Sequence, residues 1–137
     1  MAWLNATPKP APGTKRAENA AKLPKISRAE QMKKDKIPVR LPPNPVPAIT
    51  EKLMELGLSE AAGMGAAPLS WKEIDAWCNR TAVDVPPWEA RLIRRLSVEY
   101  VAESRRAEDE NYPSPWRTEV SPQEIDTEEA RLRMVLG

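Results

Sequence analysis

Residues 68–116 read PLSWKEIDAWCNRTAVDVPPWEARLIRRLSVEYVAESRRAEDENYPSPW, and the rest of the chain is organised around them. The stretch opens on Leu69-Ser70-Trp71-Lys72-Glu73-Ile74. Ser70 is placed to cap a helix, Glu73 stands three residues on, and Leu69 and Ile74 flank the cap as a hydrophobic staple. This helix carries Ile74, Trp77 and Cys78 on one face and is predicted to end near Arg80. A short loop, TAVDV, leads to Pro86-Pro87. Pro87 suits the first position of a second helix, and Glu89 falls in its first turn, where the helix dipole favours an acid. That helix is predicted over 87–106. Trp88, Leu92, Leu96 and Tyr100 recur every four residues, with Ile93 and Val101 widening the stripe. The predicted core of the module is therefore Leu69, Ile74, Trp77, Trp88, Leu92, Leu96 and Tyr100. Helical spacing in a small domain makes Trp71, Trp77 and Trp88 packing residues rather than base-stacking ones.

Beyond Arg106 the chain leaves the helix through AEDENYPSPW. Pro113 and Pro115 force an extended exit, and Tyr112 and Trp116 are expected to fold back onto the two helices. Glu108-Asp109-Glu110 oppose the dipole at a helix C-terminus, which favours a basic partner or an arm over them. Val120-Ser121-Pro122-Gln123-Glu124-Ile125 then repeats the staple, with Ser121 as cap. The last helix should reach Leu136, with Ile125, Leu132, Val135 and Leu136 as its apolar stripe.

Upstream, Ile49 to Leu56 is predicted as a short helix ended by Gly57. Gly63-Met64-Gly65 reads as a loop, either a flexible turn or backbone pinched against a neighbour. Residues 1–47 read as an arm. Nine of the fifteen prolines lie there. Pro8, Pro10 and Pro12 favour extended chain over helix through residues 1–25. Trp3 and Leu4 are either an anchor for a partner's pocket or an exposed terminus. A short helix is expected near 28–36, with Ser27 as cap and Glu30 completing a capping box. Its C-terminal end is basic, through Lys33, Lys34 and Lys36. The strip 37–47 returns to extended chain, and Ile37, Val39 and Leu41 fall on one face, suited to a groove or a sheet edge.

The net charge of +1 conceals an asymmetry. Residues 1–47 carry ten Lys/Arg against three Asp/Glu, a balance of +7, and residues 48–137 carry eleven against seventeen, a balance of −6. Such an arm is expected on an acidic surface: nucleic acid, a partner protein or the acidic half of a second copy. The alternative is a solvated basic linker. About ninety residues from Ala48 onward are left for a core, so stability is expected to lean on partners or self-association. One cysteine, Cys78, and no histidine exclude a disulfide framework within the chain and any Cys/His or Ser/His catalytic pair. No apolar run approaches the ~18 residues of a membrane span, and the N-terminus lacks the pattern of a signal peptide. No cofactor, metal or catalytic residue is expected.

The run from Gly63-Met64-Gly65 through Pro68-Leu69, Glu73-Ile74, Ala76-Trp77, Pro87-Trp88-Glu89, Leu96-Ser97, Tyr100 and Pro113 to Trp116 resembles small tailed-bacteriophage proteins described as tail assembly chaperones or minor tail proteins. The resemblance covers roughly residues 50–116. Thr81-Ala82 stands where many of that family have Thr-Gly. The resemblance implies a non-enzymatic role in tail morphogenesis. The arm 1–47 lies outside it, and a basic, proline-rich arm suits lacing between subunits. The leading expectation is therefore a virion-associated tail or neck component, assembled in the host cytoplasm, that binds other phage structural proteins through its arm. A transient chaperone of the tape-measure protein is the alternative, and a nucleic-acid-associated factor the second alternative; a homo-oligomer fits any of them. The expected architecture is mostly α: an extended arm over 1–47, a helical module with a helix–loop–helix centre over 48–116, and a C-terminal helix over 117–137.

Overall fold

A computed structural model describes residues 1–23, 25–116 and 122–137. The described chain is mostly helical, as the pattern requires, with one small hairpin. Its contacts divide it into two units: Met1–Ala2 with Pro43–Arg106, and Trp3–Pro42 with Ala107–Gly137.

The first unit holds the helix–loop–helix. Helix α4, Pro47–Leu56, starts one residue after Val46 with proline in its first turn and ends at Gly57, whose φ of 105° only glycine adopts freely. Gly57 N–H reaches Met54 O and Leu58 N–H reaches Leu53 O, which satisfies the last carbonyls. The segment after it forms a two-stranded antiparallel hairpin, β1 Glu60–Ala62 and β2 Gly65–Ala67, with Ala62 opposite Gly65. Gly63 takes a positive φ at the first position of the two-residue turn, where glycine is needed. The predicted loop at 63–65 is thus a hairpin tip. Nothing lies within 4 Å of a Cβ at Gly63 or Gly65, so the backbone there is not pinched.

Helix α5, Trp71–Thr81, and helix α6, Pro87–Arg106, fall where the pattern puts them. Ser70 Oγ accepts Glu73 N–H at 3.2 Å. The backbone N–H and hydroxyl of Ser70 both donate to Glu60 Oε1 at 2.7 Å, so a strand residue completes the cap. Helix α4 packs on α5 and α6, and β2 on α6. The core is Ile49, Leu53, Leu69, Ile74 and Ile93, with Leu92 and Leu96 half-buried against it.

The buried row of α6 is Glu89, Ile93, Ser97 and Val101, one position round from the expected Trp88, Leu92, Leu96 and Tyr100. Trp88 is 61% exposed and is not a core residue; Trp71 is likewise 52% exposed. Trp77 and Tyr100 are half-buried. The reason lies in two polar residues that have partners inside. Glu89 pairs with Lys52 of α4. Ser97 Oγ accepts Leu69 N–H at 2.9 Å and donates to Leu58 O at 2.6 Å.

Among the described residues the second unit holds four short helical segments and one longer helix. Helix α1 (Ala2–Asn5), which begins in the first unit, is followed by α2 (Lys15–Glu18), a 3₁₀ turn (Ala20–Lys22), α3 (Arg28–Lys34) and, near the C-terminus, α7 (Pro122–Leu136). The expectation of helix-free chain through 1–25 is corrected. The prolines at 8, 10 and 12 keep only their own stretch extended, and Thr14 caps α2 by accepting Ala17 N–H. Ser27 caps α3 with both halves of the capping box in place. Lys36, at φ 57°, ends α3: its N–H reaches Lys33 O and that of Ile37 reaches Met32 O. The Ser121 cap lies outside the described residues.

Candidate partner-binding surfaces

In the first unit a cleft of about 500 Å³ opens between α5 and the loop that follows it. Ile74, Cys78, Val85 and Ala90 give it apolar walls, and Asp75 and Asp84 stand among them. The loop is set by Ala82, which ends α5 in the left-handed region at φ 55°. Trp71 lines the cleft as well, with the Arg94 guanidinium 5.6 Å from its ring centroid. Burial first, then Asp75 and Asp84, push the Cys78 thiol up from its ordinary pKa, so it is not a reactive thiolate.

The second unit is built around a residue that carries no local signal in the sequence. Arg28 is 8% exposed. Its guanidinium donates to the carbonyls of Trp3 (3.1 Å), Ala107 and Asp109 (2.8 Å), and lies 4.6 Å over the Trp3 ring. Burial lowers its pKa, with Asp109 opposing. Trp3 Nε1 donates to Tyr112 O at 2.9 Å, and its ring meets Trp116 edge to face at 5.7 Å. Lys9 N–H donates to Glu108 O and Glu110 N–H to Lys9 O, a parallel bridge. Lys9 pairs with Glu108 at 2.8 Å, Arg16 with Glu110 at 2.9 Å, and Arg131 with Asp35 at 3.1 Å. Two cations of the arm, Lys9 and Arg16, thus pair with acids of their own chain.

This corrects the reading of Trp3 and Leu4 as a free tip: Trp3 is half-buried in these contacts and Leu4 is buried. The other arm residues are presented differently. Lys33, Lys34 and Lys36 are exposed, Ile37 is half-buried, and Val39 and Leu41 are exposed along an extended strip. The structure does not gather these residues into one site. On α7, Ile125, Leu132, Val135 and Leu136 are all exposed. Among the described residues no helix is long and apolar enough to cross a membrane.

Folding also redistributes charge. The first unit has eight Lys/Arg against nine Asp/Glu, and the second thirteen against eleven, so they carry −1 and +2 in place of the +7 and −6 of the linear halves.

No curated protein and no solved structure gives a significant match. A family model does, over residues 42–102, which hold α4, the hairpin, α5 and most of α6. That model is described as phage tail assembly chaperone, and it is residues 42–102 of this chain that are similar to it.

Proposed function

We propose that the protein is a non-enzymatic, transient tail assembly chaperone that binds the tape-measure protein in the host cytoplasm and leaves before the particle matures. The match over residues 42–102 carries this reading. The arm supports it by what it is already doing. Lacing to neighbours needs a free basic arm, and here Lys9, Arg16 and Arg28 are engaged by residues 107–110 of the same chain. The same engagement removes Lys9, Arg16 and Arg28 from a phosphate-binding role, which needs cations free to displace counterions, and leaves Lys33, Lys34 and Lys36 exposed.

Quantitative mass spectrometry of purified particles and of infected-cell lysates tests the proposal. The expected result is absence from mature particles and capture with the tape-measure protein from lysate. A fixed, symmetry-compatible copy number in mature particles would overturn it in favour of a virion component. The exposed strip at Val39 and Leu41 and the exposed stripe of α7 are the features that favour this second reading.

A further inference from the structure

A cleft of mixed lining can take an apolar side chain on its apolar residues, while carboxylates among them select what flanks that side chain. In the first unit both lie together, in the cleft between α5 and the Ala82–Val85 loop. Among the described residues neither Asp75 nor Asp84 is in a salt bridge. Asp75 accepts only Asn79 Nδ2, at 3.2 Å. This sets them apart from Glu89, Glu108 and Glu110, which are paired with Lys52, Lys9 and Arg16. Two acids outside any described salt bridge, beside the half-buried Cys78, Val85 and Ala90, are complementary to a cation carried next to an apolar group. An acidic or purely polar segment would meet repulsion or leave the wall wet. Trp71 at the margin adds an aromatic surface of the kind that anchors such contacts.

We propose that this cleft is the client-binding site, and that it takes a segment presenting an apolar side chain flanked by lysine or arginine. The inference rests on the chaperone reading for the identity of the client. The cleft's preference for apolar-and-basic segments does not.

Two probes separate these. The first is a fluorescein-labelled amphipathic helical peptide of leucine and lysine, titrated against the full chain by anisotropy, with a leucine–glutamate peptide of the same pattern beside it. The leucine–lysine peptide should bind and the leucine–glutamate peptide should bind at least tenfold more weakly. Asp75→Lys/Asp84→Lys should lose at least tenfold in affinity for the basic peptide. Glu51→Lys/Glu55→Lys, an equal charge change on exposed positions of α4, should retain it. Ala90→Trp, which fills the cleft without changing charge, should also weaken binding. Equal binding of the two peptides would overturn the cleft, as would loss in the α4 variant equal to that in the cleft variant. The second probe is the tape-measure protein, co-expressed and captured. Capture by wild type but not by Asp75→Lys/Asp84→Lys supports both readings. Capture by both chains overturns the cleft while leaving the chaperone. Failure of capture by wild type, with the peptide result intact, overturns the chaperone while leaving the cleft.

Discussion

Ser97 Oγ accepts the backbone N–H of Leu69 at 2.9 Å while its own hydrogen goes to Leu58 O. One hydroxyl on α6 thus fixes the chain at the exit of α4 and at the entry to α5. It sits at full burial, where no water replaces a lost partner. Ser97→Ala should cost about 1–3 kcal/mol, the penalty of a buried N–H left without an acceptor. A urea titration followed by circular dichroism reads this directly. A midpoint within error of wild type would show that Leu69 finds another acceptor.

Arg28 predicts a second effect. Lysine keeps the charge but cannot span three carbonyls or stack flat on Trp3. Arg28→Lys should therefore loosen residues 3–42 from residues 107–112 at a cost of about 1.5–3 kcal/mol, the range for hydrogen bonds to charged groups. Trypsin should then cut after Lys15 and Arg16 faster than in wild type, while residues 43–106 stay protected. Unchanged cleavage rates would mean that the Lys9 bridge and its ion pairs suffice.

Ala82 offers a stabilising change. A residue with a Cβ at φ 55° bears about 1–2 kcal/mol of strain that glycine lacks. Glycine's larger unfolded-state entropy offsets part of that. Ala82→Gly should gain about 0.5–1 kcal/mol, read as a higher thermal midpoint. A lower midpoint would mean that the methyl group's contacts outweigh the strain.

Glu60 supplies a pH dependence. The N–H and hydroxyl of Ser70, in that order of effect, hold its carboxyl below the usual range. A group whose pKa is lowered by folding stabilises above its unfolded pKa and loses that contribution as pH falls through the folded value. Wild type should therefore exceed Glu60→Gln in stability at about pH 7 and lose that advantage by about pH 3. Denaturation midpoints of both proteins across this range check it. A difference independent of pH would assign the effect to geometry alone.

Helix positions were legible because their signals are local. Ser70 with Leu69 and Ile74, Pro87 with Glu89, and Gly57 each act within one turn of chain. Which face of α6 is buried was not legible. Apolarity alone selects Trp88, Leu92, Leu96 and Tyr100, because Glu89 and Ser97 look like surface residues until Lys52, Leu58 and Leu69 arrive from elsewhere. Arg28 was hidden for the same reason: its carbonyl partners at 107 and 109 are some eighty residues away. The hairpin was missed because its strands are three residues each and made of small side chains, with no alternation to read. Of the cleft, the Thr81-Ala82 departure was visible, while the bringing of Asp75 and Asp84 to one cleft required the fold.

The near-neutral charge of each unit has a kinetic consequence. A protein without a strong far field does not draw a partner across solution. Its association rate should sit near the unsteered range of about 10⁵–10⁶ M⁻¹s⁻¹ and change little with ionic strength. The cleft carboxylates would then sort partners only after collision, through how long each one stays.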